Sequence, residues 1–164
     1  MAFDAFIQID GIEGESTDHK HAGWIEVLSY NLAMSQPVSK SASSVGGASA
    51  GRVSFQPFAF TKLIDGASPA LAMACAAGTH IDQVLIELCR AGQEKLTFME
   101  YRLTNSLISS VSACTGDPRV SFPMELVKIY FGRIEWRHIR QNRRGGGSSG
   151  HVAAGWNLER NRKM

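Results

Sequence analysis

Two runs of alternating residues near the N-terminus, 5–9 and 23–32, limit what this chain can fold into more than any other feature. Along the second run Trp24, Glu26, Leu28, Tyr30 and Leu32 fall on one side of the pleat, and Ile25, Val27, Ser29 and Asn31 on the other. Neither side is wholly polar. A strand with apolar groups on both faces needs cover on both, which points to a barrel or sandwich with either end meeting another subunit. The tight connection opening with Asp10 and Gly11 predicts that the two runs pair as a hairpin.

At 164 residues the chain is expected to be one domain, 1–164. A chain of that size buries roughly 70% of its unfolded surface without metals or disulfides. Cys75, Cys89 and Cys114 are odd in number and form no C-x-x-C pair, which fits buried free thiols in a reducing compartment. The N-terminal residues lack the basic and apolar segments of a secretory signal, and no apolar run approaches a membrane span. The chain is therefore expected to be made in the cytoplasm without membrane insertion. A formal charge of +2 is too small to imply nucleic acid by itself.

Residues 38–51 are small and polar, and a loop of this length inside a compact domain points to ordering against a partner. Pro57 interrupts the alternating residues 52–61, as on an edge strand or at a bulge. Ser68 as cap, Pro69 at the first helical position and Gly78 as terminator predict one short helix over 68–77. The remainder reads as strands: 81–90, 95–105, 107–113, a long run over 120–137 kinked at Pro123 or Gly132, and 152–158, with 159–164 as a charged tail. The fold class is mainly β, a compact antiparallel barrel with one flanking helix.

Several chemical motifs fail on context. Gly47, Ser49 and Gly51 match the G-x-S-x-G pattern, but a Ser-rich loop leading into a strand cannot form a nucleophile elbow. His19 and His21 would share one side of an extended segment, yet with no second Cys or His cluster evident the segment reads as a solvated loop. The glycines at 145–147 lack the Lys-Ser/Thr of a P-loop. Arg133, Arg137, Arg140, Arg143 and Arg144, with Tyr130 and Trp136, suggest a surface for single-stranded nucleic acid, but Glu125 and Glu135 interleave with them. No catalytic, cofactor or metal set survives, so the residues alone lead to a β-barrel that assembles with something.

The sequence also resembles a known family. Residues 6–16, followed by His21 and residues 24–29, are similar to the opening signature of the Hcp family, the tube protein of bacterial type VI secretion. Gly46-Gly47, Arg52-Val53, residues 60–62, 67–69, 78–81, 86–92 and 99–101, Ile134-Glu135-Trp136 and residues 154–157 continue the likeness in family order. Pro57, Gly66 and the Pro123-Met124 pair depart from the family pattern, in strands or turns where they would alter interface strength.

The resemblance implies a non-enzymatic structural subunit. Homohexameric rings would stack into a hollow tube, with a VgrG-type spike, a contractile sheath and small effector proteins as partners and no cofactor. Such a chain is secreted through the apparatus, to the extracellular space or into target cells. Trp24, Glu26 and Tyr30 are subunit-interface candidates; Val45, Gly46, Gly47, Ala48 and Arg52 are ring-stacking candidates; Asn31 is a lumen or cargo candidate. The competing expectations are a stand-alone β-barrel binding nucleic acid and an Hcp-type secreted effector. Enzymatic variants carry an added C-terminal domain, whereas here the chain is expected to end soon after its last strand.

Overall fold

Alternation of apolar and polar residues governs the longest strand. In β9 (Met124–Gln141) Val127, Ile129 and Phe131 are buried while Lys128 and Tyr130 between them are exposed. The structure, a computed structural model, describes residues 3–38, 50–92, 94–114, 122–141 and 148–164. Over these it forms β1 (Phe3–Ile9), β2 (Ile25–Val27), β3 (Ser29–Asn31), β4 (Met34–Ser35), β5 (Ser54–Phe55), β6 (Phe58–Leu63) and α1 (Ser68–Ala77). Then come β7 (Ile81–Arg90), β8 (Thr97–Cys114), β9, β10 (Ser148–Asn157) and β11 (Arg162–Lys163).

All pairings are antiparallel, in the order β11-β10-β9-β8-β7-β1-β2, with β6 joining β3 to β9. The mainly β class with one flanking helix stands. The ladder is not closed all the way round: β2 pairs with β1 and β3 with β6, and the chain bridges the two at Leu28. There the Leu28 N–H donates to the Thr61 carbonyl at 2.8 Å. The single run expected over 23–32 is split for that reason. Changing partners turns the strand, so Ile25 is buried, Leu28 exposed and Tyr30 half-buried instead of alternating evenly.

Pro57 lies between β5 and β6, and its missing N–H costs β6 no ladder bond. Consequently β6 is not an edge strand but sits between β3 and β9. Residues 95–105 and 107–113 are one strand, β8, with Asn105 at φ 55° as a kink inside it; asparagine tolerates that conformation better than most residues. The charged tail folds back as β11 on the end of β10.

The helix forms as expected over 68–77 and ends at Gly78 in the left-handed conformation (φ 61°). Its start differs. Ala67 is the N-cap and, carrying only a methyl group, makes no side-chain cap bond, while the Ser68 hydroxyl is engaged below the helix. That hydroxyl donates to Glu125 Oε1 at 2.7 Å and accepts from Lys62 Nζ at 3.1 Å. Lys62, fully buried, shares its three N–H bonds among that hydroxyl, Asp65 Oδ1 (2.6 Å), Glu125 Oε1 (2.7 Å) and the Leu63 carbonyl (2.9 Å). A buried ammonium survives only with acceptors of this kind, and the set ties β6, the start of α1 and β9 together. Leu71 and Ala74 of the helix seat on the core while Met73 faces outward.

Removing one partner of a buried pair strands the other charge, so Lys62→Met should lower unfolding free energy by about 3–5 kcal/mol. Lys62→Met with Glu125→Leu should recover most of the loss, as read by urea denaturation at matched protein concentration. A double variant no more stable than the single one would show that the charges do not account for the effect.

Candidate functional site

The connection between β1 and β2 is itself paired backbone. Gly14 N–H donates to the Gly23 carbonyl (2.8 Å), Ser16 N–H to that of Trp24 (2.9 Å), and Gly23 N–H back to that of Ser16 (2.8 Å). Gly14 has no room for a side chain, since a Cβ there would lie 2.7 Å from the Ile25 nitrogen. This approach turns His21 inward onto the sheet while His19 and Lys20 stay exposed.

His21, only 1% exposed, is the result. Its Nδ1 lies 2.7 Å from Asp18 Oδ2 and its Nε2 3.0 Å from Glu87 Oε2. Phe6 stacks on the imidazole at 4.2 Å and 2°, and Trp24 meets it edge-on at 4.9 Å. Lys95 Nζ sits over the Phe6 ring and contacts Asp4 and Asp18, each at 3.2 Å. Burial pushes the Asp18 carboxyl up, but hydrogen bonds from His21, Lys95 and the Lys20 N–H outweigh it and hold it at about 2. Burial would likewise pull Lys95 down, and Asp18 and Asp4 hold it above its ordinary value.

The solvated-loop reading of this segment is therefore wrong for His21, although His19 beside it is exposed. Glu87 and Cys89 share one face of β7, two residues apart, and Thr97 lies opposite Cys89 through a register shift in the β7–β8 ladder. Neither Glu87 nor Cys89 is near His21 in sequence. Their approach follows from the pairing of β1 with β7, which no local pattern discloses.

The assembly candidates scatter over the surface. Trp24 is half-buried against His21. Tyr30 is half-buried, stacked on Phe58 (5.9 Å) and close to Tyr101 (6.0 Å), whose hydroxyl is pushed above its ordinary value by burial and then by Tyr30. Much of that ring is spent inside the subunit. Glu26 is exposed and borders a shallow groove with Glu15, Leu28, Leu63 and Ile64. Asn31 is exposed at the end of β3, opposite Ala59. Arg52 reaches the Leu158 carbonyl at 3.0 Å. Val45, Gly46, Gly47 and Ala48, with Ser49 of the G-x-S-x-G match, lie outside the described residues, as do Arg143 and Arg144.

The basic residues on β9 are interleaved with acids. Arg137 lies 3.8 Å from Glu100, Arg133 3.8 Å from Glu159, and Glu135 3.9 Å from Arg102. Trp136 leans on Phe55 at 6.3 Å. A phosphate backbone would have to compete with these carboxylates. Among the described residues no helix is long and apolar enough to cross a membrane.

A family model described as "Type VI secretion system effector, Hcp" matches residues 6–138. The chain is 37% identical to "Protein hcp1" of Pseudomonas aeruginosa over 164 residues, covering 98% of each chain. Among solved structures, one described as a type six secretion system protein superposes with a TM-score of 0.92 at 29% identity, over 99% of this chain and all of that one. Hcp1 from Salmonella typhimurium superposes with a TM-score of 0.78 at 30% identity over the full length of both.

Replacing His21 with alanine leaves Asp18 and Glu87 without their shared partner and opens a gap against Phe6. His21→Ala should cost about 3–5 kcal/mol of stability, whereas exposed His19→Ala should stay within about 0.5 kcal/mol of the parent. Thermal or urea unfolding of the two variants distinguishes a buried hydrogen-bonded joint from a solvated loop, for which both would be silent.

Proposed function

Because this chain belongs to the Hcp family of type VI secretion proteins, we propose that it is a non-catalytic structural subunit that closes into hexameric rings, and that the rings stack into a hollow tube. The observation that carries the reading is an uncovered strand edge. Among the described residues β10 pairs with β9 on one side, while on the other β11 and Met164 cover only Gly155, Trp156 and Asn157. Along the free part His151, Val152, Ala153 and Ala154 are exposed. Such an edge invites pairing with another chain unless a neighbour covers it.

Two unlike surfaces support a head-to-tail contact, the kind that closes a ring when the rotation fits. Glu15 and Glu26 rim the groove holding Leu28, Leu63 and Ile64, and Leu28 and Ile64 are about half exposed. The far end of the sheet presents Arg160, Arg162 and Lys163, all exposed. Opposite charge on the two ends favours one orientation of neighbours. On this reading Glu26 lies in the subunit contact, with Trp24 and Tyr30 behind it. Val45, Gly46, Gly47, Ala48 and Arg52 contact the next ring, and Asn31 faces the lumen, where small effectors are held. The tube acts with a VgrG-type spike and a contractile sheath, and is secreted through the apparatus.

Light scattering on the purified protein should give several times the monomer mass, and negative-stain images should show annuli. Glu26→Lys should shift the population toward single chains. Deleting residues 45–48 should leave annuli but abolish tubes, whereas undiminished tubes would remove the stacking role. A folded single chain at high concentration would overturn the proposal.

A further inference from the structure

The group around His21 contains more chemistry than a structural ion pair uses. His21 Nε2, Glu87 Oε2 and Cys89 Sγ all lie within 4.8 Å of one another, Nε2 being 3.0 Å from the carboxylate and 3.9 Å from the sulfur. We propose that these three atoms bind one zinc ion, with Asp18 orienting the imidazole and water completing the coordination.

The donor set is imidazole, carboxylate and thiolate, which suits Zn²⁺ better than Mg²⁺ or Ca²⁺, whose ligands are oxygens. Donors about 2.0–2.3 Å from a tetrahedral zinc stand roughly 3.3–3.8 Å from each other, so the 3.9 Å between Nε2 and Sγ is close to that spacing and Glu87 Oε2, at 3.0 Å from Nε2, has to move apart from it. Asp18 on Nδ1 makes the carboxylate–histidine arrangement that fixes which ring nitrogen faces a metal.

Hydrogen bonding accounts for the carboxylates and the ring but not for the thiol. Cys89 Sγ is fully enclosed, 3.5 Å from Thr97 Oγ1 and 3.9 Å from Nε2, long contacts for a weak donor. Burial pushes that thiol up, and the Thr97 hydroxyl offsets this only in part.

Without metal, Asp18 and Glu87 can both accept from the ring only when both nitrogens carry protons. Zinc takes the place of the proton on Nε2 and the proton on sulfur, which both leave to solvent. No electron moves. Asp4, Asp18 and Glu87 against the single ammonium of Lys95 leave an acidic surround for a dication.

Cobalt(II) added to the reduced, chelator-stripped full-length protein is the probe. One equivalent per chain should bind with a sulfur-to-cobalt charge-transfer band that Zn²⁺ abolishes. Cys89→Ser should lack the band and Cys75→Ser should keep it. Asp18→Asn should weaken binding by about 10- to 100-fold, and Zn²⁺ should raise the Tm of the parent but not of Cys89→Ser. Should Cys89→Ser fail to fold, Glu87→Gln serves in its place, with a weakened band expected. No sulfur band, a band unchanged in the folded variant, or cobalt held only by surface histidines would overturn the site.

Discussion

Strand β9 has partners on both edges, and the rest of the molecule depends on that. One edge is taken by β8 along nearly the whole length, from Met124 opposite Cys114 to His138 opposite Met99. The other is shared, β6 lying against 124–129 and β10 against 133–141. The change of partner falls at Gly132, whose carbonyl accepts from the Leu158 N–H at 2.9 Å. A Cβ there would stand 2.6 Å from Glu159 Oε1, the group that also meets Asn105. The kink in β8, the partner change in β9 and the turn after β10 thus meet at one point, and from it one end of the sheet curls while the other extends toward its open edge.

Two buried polar groups hold the smaller elements to this frame. Lys62 with Asp65, Ser68 and Glu125 locks the helix and β6 onto β9. His21 with Asp18 and Glu87 locks the first connection onto β7. Each sits where a short segment crosses a strand of the sheet. Such groups add little net stability relative to a well-packed apolar alternative, because desolvating the charges offsets most of their attraction. Their effect is to make other placements costly, since a helix or loop shifted from its seat would leave a charge buried alone.

What could be read from the sequence was local. Pro69 and Gly78 bracket the helix, and 81–90 stands as read, because punctuation and periodicity are properties of neighbouring residues. Ser68 was legible as a cap only in the absence of Lys62 and Glu125, which claim its hydroxyl. The alternating run 23–32 suggested the hairpin as the organiser, yet its second arm breaks at Leu28 and β9 has the central place. The His19/His21 pair pointed at the wrong neighbour, since apart from Asp18 the polar groups that meet His21 arrive from 66 and 68 residues along the chain. The opening signature carried the family, and nothing in it separates a residue facing a neighbouring subunit from one packed inside its own.

Native-state hydrogen exchange on the backbone tests the central place of β9 most directly, because amides bonded between two strands open only when the frame itself opens. The amides of 125–131 should exchange last, with those of Ile25 and Val27 in β2 released earlier. If the β1–β2 hairpin outlasted β9, the frame would be built on the first two strands, and the central place of β9 would be contradicted.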